Sequence, residues 1–168
     1  MKPNMRTLML LRHAKSSWKD SGAEDHERPL NKRGKKTAPQ MGRLLATEGL
    51  VPDLILSSTA IRARDTAKAV AKASSYKGPV ELLESLYLAT AGKLLAEAQN
   101  RTPDSVERLL LVGHNPGMED LVEILSGRRE AFPTAALAVF EVGIPRWKDL
   151  ELGVETKLLK VYRPKEIE

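Results

Sequence analysis

Short runs of Leu, Ile and Val alternate along this chain with longer segments whose apolar residues recur at helical spacing, a pattern that specifies parallel strands joined by crossover helices. The runs predict strands near 7–12, 53–57, 80–83, 108–113, 136–142 and 156–162. Helices are expected over about 34–48, 59–74, 91–100 and 116–126. Gly49 is placed to end the first of these, and Pro39 to start or kink it. Ser58 or Thr59 can cap the second, and Asn115-Pro116 can open the fourth, the asparagine as cap and the proline in the first turn. Glycines and prolines mark the joints without forming a linker, and no repeat or low-complexity stretch divides the chain. Residues 1–168 therefore read as a single α/β domain of three layers, a mostly parallel sheet flanked by helices.

Composition narrows the chemistry. With no cysteine, a disulfide framework, a thiolate metal site and a cysteine nucleophile are all excluded. The opening Met1–His13 stretch is basic but has only a short apolar run and no small-residue cleavage site, so neither a secretory leader nor a membrane span is expected, and a cytoplasmic location is the default. The net charge of +5 suits anionic partners or a solvated basic surface. Aromatic residues make up only 4% and are not interleaved with the basic clusters, so nucleic-acid recognition by base stacking is not expected.

Arg12 and His13 follow the first predicted strand directly, and His114 follows the fourth. Arg62 lies just beyond the end of the second, on the first turn of the next helix. Ligands of parallel α/β sheets bind at the carboxyl ends of the strands, so three strand ends converge there on one pocket. Two histidines and two arginines make it cationic and rich in donors. Planar guanidinium forks match phosphate oxygens two at a time, which points to a phosphoryl group. Carboxylates and further histidines that would build a metal site are scarce nearby, and no motif calls for a metal, nucleotide or flavin.

The segment Leu11-Arg12-His13-Ala14-Lys15-Ser16-Ser17-Trp18 resembles the Arg-His-Gly signature of the histidine phosphatase superfamily, also called phosphoglycerate mutase-like, with alanine in place of glycine. Ser57–Ala67, Glu84-Ser85-Leu86-Tyr87 and Val112–Gly117 match further blocks in the family's order. Within it, Arg12–Trp18, Asp25–Asn31, Gly113–Gly117 and Phe132–Ala136 are similar to the SixA-type phosphohistidine phosphatases. The resemblance implies that His13 is a nucleophile that becomes transiently phosphorylated, with Arg12, Arg62 and His114 around the phosphoryl group. His114 is then expected to be a protonated or donor histidine facing an oxygen.

Glu84 stands where mutase relatives carry an acid and is either a proton donor to the leaving group or a solvent-facing glutamate. Lys15 replaces the glutamate usual in mutases, which makes the rim more basic and argues against a mutase. Ser16 can donate to a phosphate oxygen or merely shape the loop; Arg28 can reach the pocket, although a surface arginine is the commoner outcome. Asn115 can offer its backbone N–H at a helix start. His26 and Arg64 read as structural or surface groups, and Trp18 and Trp147 as partly buried packing or recognition platforms.

The expected activity is metal-independent phosphate hydrolysis through a phosphohistidine, on phosphohistidine of a protein partner, by a monomer that needs no cofactor. The alternatives are a broad small-molecule phosphomonoesterase and a non-catalytic phosphate-binding module.

Overall fold

A computed structural model describes residues 5–18 and 22–167. Residues 1–4 of the N-terminal stretch lie outside the described residues. Six strands form one sheet in the order β3-β2-β4-β1-β5-β6. In chain order they are β1 (Arg6–Arg12), β2 (Leu54–Ser58), β3 (Val80–Leu83), β4 (Arg108–Gly113), β5 (Leu137–Val142) and β6 (Thr156–Tyr162). Strands β1 to β4 run parallel, whereas β5 is antiparallel to β1 and to β6.

The helices are α1 (Lys32–Thr47), α2 (Ile61–Ser74), α3 (Ala91–Arg101), α4 (Gly117–Ser126) and the short α5 (Pro164–Ile167). The alternating faces of the strands separate two cores. Met9, Leu11, Ile55 and Leu110 point to α1 and α2, which contribute Met41, Leu45, Ala67 and Val70. Leu8, Leu10, Leu56 and Leu111 point to α3 and α4, which contribute Leu94, Ala98, Leu121 and Val122, with Trp147 fully buried among them. Because β1 and β4 are buried on both faces, they read in sequence as unbroken apolar runs instead of alternating ones.

Two local expectations are corrected. Helix α1 begins at Lys32, where the Asn31 side chain accepts from the Gly34 N–H at 2.9 Å, so Pro39 lies inside the helix, and of starting or kinking it only the first is ruled out. Neither Ser58 nor Thr59 caps α2: its N-cap is Ala60, without a side-chain bond, because both hydroxyls are engaged with histidines. Gly49 does close α1. At φ +68° it lets Leu50 N–H reach Leu45 O at 2.8 Å, the six-to-one bond of a Schellman cap.

The β1/β4/β2 register sets the site. Arg12 lies opposite Gly113 and Val112 opposite Ser57, so the residues after these three strands emerge side by side at one edge. The segment after α4 returns to that edge before β5 starts, which is why β5 runs antiparallel and why Ala135 N–H meets the carbonyls of Arg12 and His13 at 3.1 and 3.0 Å. Gly34 lets α1 lie against the loop after β1: a Cβ there would fall 2.1 Å from Lys15 O.

Candidate active site

His13 is 6% exposed and its Nδ1 lies 2.7 Å from Ala14 O. A carbonyl only accepts, so Nδ1 carries the proton and the lone pair is on Nε2. Burial above all pushes the His13 pKa down to about 4; the Ala14 bond opposes it, and the positive charges of Arg62, Arg12 and Arg28 add to the fall. The ring is therefore neutral near pH 7, with an imidazole lone pair beside three guanidinium groups.

His114 is 2% exposed, with its ring centroid 5.1 Å from that of His13. Burial first, then the charges of His13 and Arg62, push its pKa down to about 3. Of the two forms expected, protonated or neutral donor, these surroundings favour the neutral ring near pH 7 when no anion is bound. Its Nε2 meets Ser58 Oγ at 2.8 Å, and its buried Nδ1 has no hydrogen-bond partner. The Nε atoms of Arg12 and Arg62 are likewise buried without one.

Arg62 is 3% exposed and donates both terminal nitrogens to Asp25, Nη1 to the backbone oxygen at 2.6 Å and Nη2 to Oδ2 at 2.9 Å. Asp25 begins a short 3-10 helix (Asp25–Glu27) in the loop between β1 and α1. Its carboxylate also accepts from the Tyr87 hydroxyl and from Arg28 Nη1 at 3.0 Å. The Tyr87 bond, followed by those from Arg28 and Arg62, holds Asp25 below the ordinary carboxylate range. Arg28 is buried, correcting the expectation of a surface arginine. It donates to Ser16 Oγ and Ser17 O and stacks 3.2 Å above the ring of Trp18, which is itself 77% exposed, so that of its two expected fates partly buried packing does not hold.

The structure thus brings together Arg12, His13, Arg62 and His114, and links Arg28 and Ser16 to them through Asp25. Asn115 bridges the start of α4 to the segment returning to β5, with Nδ2 donating to Phe132 O at 2.9 Å and Oδ1 accepting from Glu119 N–H at 3.2 Å. Arg12 Nη1 donates to the same carbonyl at 3.3 Å. Lys15 is exposed and lines two clefts of about 490 and 610 Å³ together with Arg33. Glu84 is exposed, and the side chain of its block that enters the cluster is Tyr87, edge-on to His114 at 5.5 Å. His26 joins the second layer, its Nε2 2.8 Å from Thr59 Oγ1 and its ring edge-on to Tyr87.

Sequence reasoning missed Asp25, Ser58 and Tyr87. Asp25 carried one legible signal, an acid three residues before Arg28. Ser58 is legible in the sequence only as a possible cap, and Tyr87 stands in a block whose glutamate is the more obvious chemical group.

The two buried histidines make stability depend on pH. The unfolded chain binds their protons near pH 6.5 and the folded one only near 4 and 3, so below 6.5 the unfolded state takes up more protons and stability falls with pH. Between pH 6.5 and 5 the loss is roughly 2 kcal/mol per histidine. A thermal unfolding midpoint that drops steadily from pH 7 to 5 is the expected result; a flat midpoint there would mean that the rings are not neutral in the folded protein.

The sequence matches the profile of the histidine phosphatase superfamily (branch 1) over residues 8–135. A solved structure from Nakamurella multipartitia, proposed to be a phosphohistidine phosphatase SixA, superposes with a TM-score of 0.84 at 27% identity, covering 95% of this chain and 96% of that one. One from Agrobacterium tumefaciens, proposed likewise, gives 0.78 at 32% identity, covering 95% and 98%. The uncharacterized protein Rv1276c of Mycobacterium tuberculosis is 36% identical over 154 residues, 85% of this chain and 93% of the relative. Since the matched region carries every residue of the cluster from Arg12 to His114, the family relation and the geometry describe one site, and this chain belongs to the histidine phosphatase superfamily (branch 1).

Proposed function

We propose that this chain removes the phosphoryl group from phosphohistidine on a protein partner, without a metal or cofactor, through a covalent phosphohistidine at His13. The observation that carries the proposal is the His13 ring: with Nδ1–H held by Ala14 O, the Nε2 lone pair is available to attack phosphorus. As the Nε2–P bond forms, the substrate's P–N bond breaks and its imidazole leaves. Water then attacks the phosphorylated His13, inorganic phosphate departs, and Nε2 regains its lone pair. Arg12, Arg62 and His114 hold the phosphoryl oxygens, with Arg28 and Ser16 behind them.

Two features support phosphohistidine over an alkyl phosphate ester. The carboxylate bonded to Arg62 and Arg28 is held ionised, which makes it a poor proton donor to an alkoxide. A phosphorylated imidazole protonated at its other nitrogen leaves neutral and needs no such acid. Likeness to the Agrobacterium SixA structure over nearly the whole chain points the same way. A protein partner is supported by the rim, where exposed Lys15, Lys35 and Lys165 line clefts open to a macromolecular surface and suited to acidic side chains.

The test compares a phosphohistidine-bearing protein, an aryl phosphate and an alkyl phosphate in EDTA. Phosphohistidine turnover is expected to exceed that of the alkyl ester by about 10²-fold or more, the usual worth of leaving-group protonation. Equal turnover of the alkyl ester would move the function to small-molecule phosphomonoesters, and loss of all turnover in EDTA would overturn the mechanism.

A further inference from the structure

We infer that Ser58 is a positioning residue that makes neutral His114 a hydrogen-bond donor, by fixing the proton of its ring on Nδ1. The inference goes one step deeper than the proposed function. It rests on that reading only for the identity of the acceptor, a phosphoryl oxygen.

Ser58 is the last residue of β2, completely buried, and its Oγ has two partners. The backbone N–H of Ala60 donates to it at 3.1 Å, and His114 Nε2 lies 2.8 Å away. Counting donors and acceptors decides the tautomer. If Nε2 carried the ring proton, Ser58 Oγ would accept twice, leaving its own buried hydroxyl proton without an acceptor and the buried Nδ1 lone pair without a donor. If Nδ1 carries it, the Ser58 hydroxyl donates to Nε2 and accepts from Ala60. Only one group, Nδ1–H, is then unmatched. Two unmatched buried groups cost more than one, so the arrangement favours the Nδ1–H form.

The ring that carries this single unmatched donor packs against His13, 5.1 Å between centroids, and lies in the field of Arg62 and Arg12. A protonated His114 would be opposed by burial and by those same charges. A neutral ring with its proton on Nδ1 supplies the hydrogen bond without adding another positive charge. Ser58 thereby does at β2 what the Ala14 carbonyl does for His13: the neighbour of one ring nitrogen decides what the other can do.

The experiment is long-range ¹H–¹⁵N NMR of the full chain, wild type beside Ser58→Ala and Ser58→Thr, near pH 7. His114 signals are assigned by their loss in His114→Gln. The wild type is expected to show His114 as the Nδ1–H tautomer. Ser58→Ala is expected to shift it toward the Nε2–H form or a mixture, and Ser58→Thr, which keeps the hydroxyl, to restore Nδ1–H. In parallel, kcat/KM of Ser58→Ala for the aryl phosphate should fall about 10-fold or more, the effect of losing one oriented donor to the reacting group, while the threonine variant recovers it. A wild-type ring in the Nε2–H form, or a tautomer unchanged by Ser58→Ala, would overturn the inference. A shifted tautomer with unchanged turnover would overturn the role in catalysis. Since the NMR readout needs no substrate, it stands whether or not phosphohistidine proves to be the substrate.

Discussion

Replacing His13 by alanine is expected to lower turnover at least about 10⁴-fold, because the chemical step loses the atom that bonds to phosphorus. Mixing wild-type protein with radiolabelled phosphoprotein and quenching in alkali should leave label on the chain, in a form stable to base and lost in acid, as a phosphorylated imidazole behaves. His13→Ala should carry none. The ring is buried and bonded to Ala14 O, so His13→Asn, closer in size, runs beside it to separate loss of the nucleophile from loss of packing. Turnover within about 10-fold of wild type in both variants would remove His13 as the nucleophile. Label persisting in both would place the covalent intermediate on another residue.

The second large effect is expected at Arg62. Its guanidinium is buried, fixed on both terminal nitrogens by Asp25, and aligned from the first turn of α2. Such a fork is held ready for charge redistribution on the phosphoryl group and does not have to reorganise when it occurs. Arg62→Ala should lower kcat/KM about 10³-fold, and Arg62→Lys should recover only part of that, since a lysine keeps the charge but not the two parallel N–H groups. Inorganic phosphate should also bind Arg62→Ala more weakly, read as a higher product-inhibition constant. An alanine variant within about threefold of wild type would show that Arg62 serves only to hold Asp25, not the phosphoryl group.

The placement of Asp25 matters to both expectations. A carboxylate among three arginines offsets part of their mutual repulsion and fixes the directions of two of them.

Much of this architecture is written locally. Double-sided burial of β1 and β4 shows as the unbroken runs 8–11 and 109–112, and the strand ends place Arg12, His13 and His114 together before any coordinate is known. The motif blocks name the same residues because chemistry at a strand end needs a particular side chain at a particular turn. What the sequence leaves open is every choice made by a distant neighbour. Asp25 meets Arg62 across 37 residues and Tyr87 across 62, and Ser58 meets His114 across 56. No local propensity encodes those pairings. Ser58 in isolation is a sound helix cap, Arg28 a sound surface arginine and His114 a ring that titrates near neutrality. Packing overrides each, since a buried hydroxyl, guanidinium or imidazole must match its donors and acceptors with whatever the fold brings beside it. The chain's own pattern therefore determined the sheet, its two cores and the four residues gathered at the strand ends, while the tertiary structure alone decided which groups surround each of their nitrogens, because those partners come from distant segments.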